Sequence, residues 1–215
     1  MEKLGRKITG IEENLDERRQ RAYEGSIGPS ITPFERGINK YEKWLGISIE
    51  ELKGKLVLDI GSGPEEIFSK EAKREGVDVV SLSPELKHED IREITKGNFL
   101  DIFRKGRWQK KSVAGIVQEL PFENETFDVE VSLYGGMHYL PYLESEYRLA
   151  FKEIIRTLKS GGKAYLYPVN VQEEDEEKFK TLLQELSISA DIELVLVEKS
   201  DRTANNLYRI VILKN

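Results

Sequence analysis

Val57-Leu58-Asp59-Ile60-Gly61-Ser62-Gly63-Pro64 decides how this chain reads. Lys55 to Ile60 is a short apolar run rich in branched side chains and bounded by glycines, which predicts a buried strand. Gly61-Ser62-Gly63-Pro64 is a turn, and Glu65 to Glu75 follows as a helix with Ile67, Phe68 and Ala72 inward. In an open α/β sheet, ligands bind beyond the carboxyl ends of the strands. Small residues there let the backbone approach a ligand closely. A strand-to-helix turn without any ligand would use the same residues.

The helix that follows the turn narrows the ligand. A dinucleotide site offers its pyrophosphate the unpaired N–H groups of a helix N-terminus. Here the helix opens with Glu65-Glu66, and Glu65 stands where the third glycine of the dinucleotide pattern belongs. Two carboxylates suit the helix dipole but repel a phosphate on the same turn. The charges favour a ligand without phosphates.

Outward from this turn, strands and helices alternate. Val77 to Leu82, Val113 to Val117, Thr126 to Leu133 and Lys163 to Val169 read as strands. Residues 85–106 read as largely helical. In residues 142–158, Leu143, Tyr147, Ala150, Ile154 and Leu158 recur at helical spacing, and Gly161-Gly162 is expected to stop that helix. Residues 173–187 form an acidic-fronted helix, and Ile192 to Val197 and Leu207 to Leu213 are strands with no helix between them. The alternation predicts a parallel sheet with helices on both faces. The last two strands predict an antiparallel hairpin, because a parallel pair needs a long crossover. The expected fold is α/β: a Rossmann-like, doubly wound, seven-stranded sheet, mostly parallel, with a C-terminal antiparallel hairpin. Residues 1–52 are expected to form an N-terminal helical lid or extension, and residues 53–215 the main domain. Within the extension, Ile38, Tyr41, Trp44 and Leu45 share one helix face, which reads as packing on the sheet. Tyr23 and Phe34 add aromatic rings ahead of it.

Composition removes several chemistries. With no cysteine among 215 residues, thiol nucleophiles, disulfides and thiolate metal sites are excluded. Two histidines, His88 and His138, leave no histidine-rich metal site, and no metal is expected. A net charge of −6 does not suit a general polyanion binder. The one basic, aromatic-bearing run, Arg104-Lys105-Gly106-Arg107-Trp108-Gln109-Lys110-Lys111, could touch RNA phosphates with Trp108 stacked on a base, but such runs are commonly solvated loops. No stretch has the length of a membrane helix, and the start lacks the apolar segment of a secretory signal, so no membrane partner and a cytoplasmic location are expected.

Three further segments carry a family resemblance. Glu119-Leu120-Pro121-Phe122-Glu123-Asn124-Glu125-Thr126-Phe127-Asp128-Val129 precedes and enters the fourth strand. Tyr134-Gly135-Gly136-Met137-His138-Tyr139-Leu140 leaves it, and Glu153-Ile154-Ile155-Arg156-Thr157-Leu158-Lys159-Ser160-Gly161-Gly162 follows. With the 57–64 turn, and in this order, they resemble the class I S-adenosylmethionine-dependent methyltransferases of the methyltransferase 11 type, over about residues 53–170. The resemblance implies S-adenosyl-L-methionine as cofactor and methyl transfer, most simply to a small-molecule acceptor. It implies that Asp59, Gly61, Ser62 and Gly63 line the methionine part of the cofactor, with Asp59 accepting hydrogen bonds near the ammonium group.

Two acids of the family are missing. The acid that holds the ribose at the end of the second strand is replaced by Ser81, and the one that meets the adenine amino group by Ile116. Val117 and Gln118 are left to offer backbone groups to adenine, and Leu82 an apolar wall. Each lost polar contact is worth about 1–2 kcal/mol, so either backbone and lid contacts hold the cofactor or the site is a degenerate one in a binding or regulatory protein. For proton removal from an acceptor, the candidates are His138 and Tyr134, both just past the fourth strand.

Overall fold

The computed structural model describes residues 36–63, 65–84, 112–138, 140, 144–199 and 205–215. Residues 1–35 of the expected N-terminal extension, with the rings of Tyr23 and Phe34, the helical stretch 85–106 and the basic run 104–111 lie outside them.

Two short helices, α1 (Ile38–Leu45) and α2 (Ile49–Leu52), lead into β1 (Leu56–Ile60). Then come α3 (Ile67–Arg74), β2 (Asp78–Leu82), β3 (Ser112–Val113), β4 (Phe127–Leu133), α4 (Glu144–Thr157) and β5 (Leu158–Gln172). A single 3₁₀ turn, Glu173–Asp175, precedes α5 (Glu176–Leu186), and β6 (Ala190–Lys199) and β7 (Asn205–Lys214) close the chain. The seven strands form one sheet in the order β3-β2-β1-β4-β5-β7-β6. The first five are parallel, and β7 runs antiparallel to both β5 and β6. The expected α/β sheet with an antiparallel C-terminal hairpin is therefore present. The hairpin folds back so that β7, not β6, lies against β5.

Strand alternation sorts the core into two layers. On one face, Val57, Val79, Val129 and Val131 pack with Phe68 and Ala72 of α3 and with Tyr41 and Leu45 of α1. On the other, Leu58, Val80 and Leu166 pack with Phe151 and Ile154 of α4 and Phe179 and Leu182 of α5. Both faces are covered, which is why β1 has four buried positions in a row. The predicted face of α1 is confirmed: Tyr41 and Leu45 are buried, and Ile38 and Trp44 pack against the same cluster.

Two expectations change. The helix stops at Thr157, ahead of Gly161-Gly162, because Leu158 already pairs with Phe127 of β4. Pairing then skips to Lys163 opposite Val129, so the glycines sit in an irregularity at the start of β5. Gly161 there has φ +75°, a left-handed conformation that strains any side-chain-bearing residue. The third strand is also shorter than read: after Val113 the chain leaves the ladder, and Ile116 makes only an isolated bridge to Glu119.

Candidate active site

The carboxyl ends of β1, β2 and β4 meet in one place, and the β1 turn is locked there by backbone. Gly61 N–H and Ser62 N–H both donate to Leu82 O, at 2.7 and 3.1 Å. Gly61 has φ +79°, and a Cβ on it would lie 2.4 Å from Gly135 Cα. The turn after β1 thus touches the turn after β4 with no side chain between them. Ser132 Oγ donates to Ile60 O at 2.9 Å and fastens the two strands just below.

Polar side chains gather on the α3 face of this junction. Asp59 pairs in register with Ser81, and Ser81 with Ser112. Asp59 and Ser81 are wholly buried. Tyr41 Oη donates to Asp59 Oδ1 at 2.7 Å. Asp59 Oδ2 and Ser81 Oγ have no hydrogen-bond partner among the described residues. Burial raises the Asp59 pKa to about 6, against the hydrogen bond from Tyr41 and the charge of Arg36, which pull it down, while Glu66 pushes it up. Burial also lifts the Tyr41 hydroxyl well above the usual phenol range, with Asp59 adding to it. Ser62 is buried and turns its hydroxyl to Gly63 O at 3.2 Å.

Two residues at the junction adopt backbones that non-glycine residues rarely hold. Glu66, just before α3, has φ 48°, and Tyr134, just after β4, has φ 47°. Each such conformation costs about 1–3 kcal/mol and collects at functional sites. The Glu66 carboxylate accepts a hydrogen bond from Ser112 Oγ. Tyr134 meets the edge of His138, with ring centroids 5.6 Å apart, and of Tyr167 at 5.7 Å, and Trp44 stacks on Tyr167 at 5.2 Å. His138 Nδ1 lies 3.0 Å from Asn170 Nδ2. Burial lowers the His138 pKa, so the ring is neutral at pH 7.

Of the sequence candidates, Asp59, Ser62, Gly63 and Ser81 come together on the α3 face. Gly61 touches the β4 turn that carries Tyr134 and His138. Leu82 and Val117 belong to the opposite core layer, and Gln118 Nε2 donates to Glu146 Oε2 at 3.0 Å. Ile116 is buried and brings no carboxylate to this edge.

Sequence reasoning missed Arg36. Its Nη1 donates to Gly61 O at 3.0 Å, Leu133 O at 2.6 Å and Tyr134 O at 3.0 Å. Its Nη2 lies 2.5 Å from where a Cβ on Gly63 would be. One guanidinium therefore clamps the ends of β1 and β4 together. Nothing in the spacing of residue 36 announces this, because its partners are backbone carbonyls about 25 and 97 positions away. Asn170 was missed for the same reason.

Fold and junction together set a carboxylate, hydroxyls and backbone groups at the carboxyl edge of a Rossmann-like sheet. Residues 58–166, about half of the chain, match the family described as a methyltransferase domain. The chain belongs to that family. Over 76 residues it is 38% identical to a sterol 4-C-methyltransferase of Caenorhabditis elegans, covering 34% of this chain and 21% of that enzyme. The match thus spans about a fifth of that relative's length. Among solved structures, the chain superposes on a Methanococcus maripaludis protein assigned to the S-adenosyl-L-methionine-dependent methyltransferases, with a TM-score of 0.52 and 22% identity over 96% of this chain and 98% of that one. It is also similar to the N-methyltransferase NodS of Bradyrhizobium japonicum, solved with S-adenosyl-L-homocysteine, with a TM-score of 0.51 and 16% identity over 94% and 100% of the two chains. These two likenesses speak for the fold.

The residues fit such a cofactor. Asp59 and Ser81 each keep a buried polar atom without a partner among the described residues, and a side chain on Gly61 would meet the backbone of the β4 turn. No group of three or more metal-ligating side chains occurs among the described residues. No helix among them is long and apolar enough to cross a membrane.

Proposed function

We propose that this chain methylates a small-molecule acceptor, in the cytoplasm, at the junction of β1 and β4. The observation that carries this reading is the closure of that junction by the N-terminal segment. Arg36 bonds to carbonyls of both strand ends, and Tyr41 to Asp59. The segment acts as a lid over the mouth, which suits a compact acceptor better than a polymer. Trp44, Tyr134 and Tyr167 supply an aromatic wall beside it.

S-adenosylmethionine supplies a methyl group already activated on a sulfonium, so the protein's part is alignment and exclusion of water. In this reading Asp59, Gly61, Ser62 and Gly63 hold the amino-acid end, and Asp59 faces the ammonium group. Val117 and Gln118 offer backbone groups to adenine, and Leu82 lies beneath them as an apolar wall. His138 takes a proton from the acceptor. It does so once the Asn170 amide, whose Nδ2 faces Nδ1 here, flips to accept from Nδ1–H and leaves the lone pair on Nε2. Tyr134 packs against the His138 ring and shapes the entrance.

The test uses the full chain with a radiolabelled methyl donor, offered in parallel a dialysable metabolite extract, purified RNA and a protein fraction. Label in the dialysable fraction, lost in His138→Asn, is the expected result. Label in the RNA would overturn the small-molecule reading. Calorimetry that detects no S-adenosylhomocysteine binding would overturn the site itself.

A further inference from the structure

The end of β2 lacks the ribose-binding acid, yet the structure brings a carboxylate to the same place from another element. Ser81 is wholly buried and its hydroxyl has no partner among the described residues. Its register neighbours are Asp59 on β1 and Ser112 on β3. The three side chains share a face, the one covered by α3, since Val57 and Val79 two positions earlier pack there. Glu66 sits at the start of α3. Its backbone is left-handed, φ 48° and ψ 40°, and its carboxylate accepts from Ser112 Oγ. That contact spans β2, because β3 lies beyond it in the sheet.

We infer that Glu66 is the ribose-binding carboxylate of this enzyme, standing in for the acid that β2 lacks, with Ser81 beside it as a second polar contact. The inference rests on the S-adenosylmethionine site proposed above. A carboxylate has about four acceptor positions, so the bond from Ser112 leaves capacity for a vicinal diol. Hydrogen bonds from two hydroxyls to one carboxylate are charge-assisted, about twice as strong as neutral ones. Ser112 then has a role too: it orients the carboxylate. Glu66 also bears electrostatically on Asp59.

The experiment is calorimetry of the full chain with S-adenosylhomocysteine and with its 2′-deoxy and 3′-deoxy counterparts. Glu66→Gln should weaken the parent ligand about tenfold or more, and the deoxy ligands by much less, because the group it grips is already gone. Glu66→Gly, which relaxes the left-handed backbone, should lose the same affinity while its Tm rises. Ser81→Asp in the Glu66→Gln background should recover binding. Unchanged affinity in Glu66→Gln, or an equal loss for parent and deoxy ligands, would overturn the inference while leaving the cofactor site standing. Absence of any binding by the wild-type chain would overturn both.

Discussion

The two ends of β4 are held in opposite ways. At the amino end Asp128, Glu153, Arg156 and Lys159 of the family-like segments are spent on structure. Arg156 donates to Phe122 O at 2.7 Å, to Leu120 O at 3.0 Å and to both carboxylate oxygens of Glu153. Glu153 in turn accepts from Leu120 N–H at 2.8 Å. Asp128 accepts from Leu56 N–H at 2.9 Å and from Lys159 Nζ at 2.8 Å. At the carboxyl end, Asp59 and Ser81 keep buried atoms without partners among the described residues, and left-handed backbones occur at both ends, at Tyr134 and Glu66 here and at Glu125 there. Two motifs that carry one family resemblance thus differ in kind. The 119–129 and 153–162 segments fasten α4 to the loop ahead of β4, whereas the 57–64 turn keeps one carboxylate oxygen, Asp59 Oδ2, without a partner among the described residues. A buried polar group without a partner is costly, and two such atoms, Asp59 Oδ2 and Ser81 Oγ, lie where the proposed ligand would supply the partner.

The sharpest way to break this contrast is at Gly61. An alanine there must hold φ +79° and places its Cβ 2.4 Å from Gly135 Cα, in backbone that cannot step aside. Strain and overpacking together should cost about 3–5 kcal/mol, read by urea denaturation, and S-adenosylhomocysteine binding should vanish. A variant of wild-type stability would mean that the two turns do not touch.

Arginine removal at the two ends should separate structure from function. Arg156→Ala leaves Glu153 and two carbonyls without their donor and should destabilise by about 1–3 kcal/mol, with ligand affinity unchanged in the folded protein. Arg36→Ala should cost similar or less stability but weaken S-adenosylhomocysteine measurably, since its guanidinium orients both turns of the site. Equal effects of the two on affinity would erase the distinction.

Between the two ends lies Glu130, a buried carboxyl that accepts from Thr157 Oγ1 at 2.6 Å. Burial raises its pKa to about 8, so it is protonated in the folded chain at neutral pH. Its folded pKa exceeds the unfolded value near 4.5. Its contribution to stability is thus full below about pH 4.5 and is lost progressively as pH rises towards 8. Glu130→Gln keeps the shape and the bond from Thr157 without the titration. It should match wild type in weak acid and exceed it above pH 9 by on the order of 1–3 kcal/mol, in denaturation curves taken across that range. Parallel curves for the two proteins would show that the carboxyl is not buried as described.

How much of this was legible in the sequence depended on how local the constraint is. The 57–64 strand and turn were legible because a buried strand and a tight turn each restrict residue type position by position. The α1 face was legible from spacing alone. Arg36 and the clamp it forms were not, because an arginine before a helix bonds carbonyls that only the folded topology brings near. Gly161-Gly162 was read as a helix stop because glycine marks a left-handed residue without saying which element it interrupts. Glu66 was read by charge, as a group hostile to phosphate. Its left-handed backbone and its bond with Ser112 cannot be read from a Glu-Glu pair.

The smallest effect probes the site end most directly. Asp59 has a pKa of about 6, so an ammonium ligand that needs its charge should bind more weakly as pH falls from 7 to 5. The ligand's amino group, with an ordinary pKa near 8, stays protonated across that window. Tyr41→Phe keeps the ring that stacks on Phe68 with centroids 3.9 Å apart, but removes the hydrogen bond that holds Asp59 down. The midpoint of the affinity-against-pH curve should therefore move upward, and Asp59→Asn should flatten the curve. If Asp59 instead belonged with Asp128 and Glu153 as a structural carboxylate, both variants would alter Tm and leave the pH dependence of S-adenosylhomocysteine binding where it was.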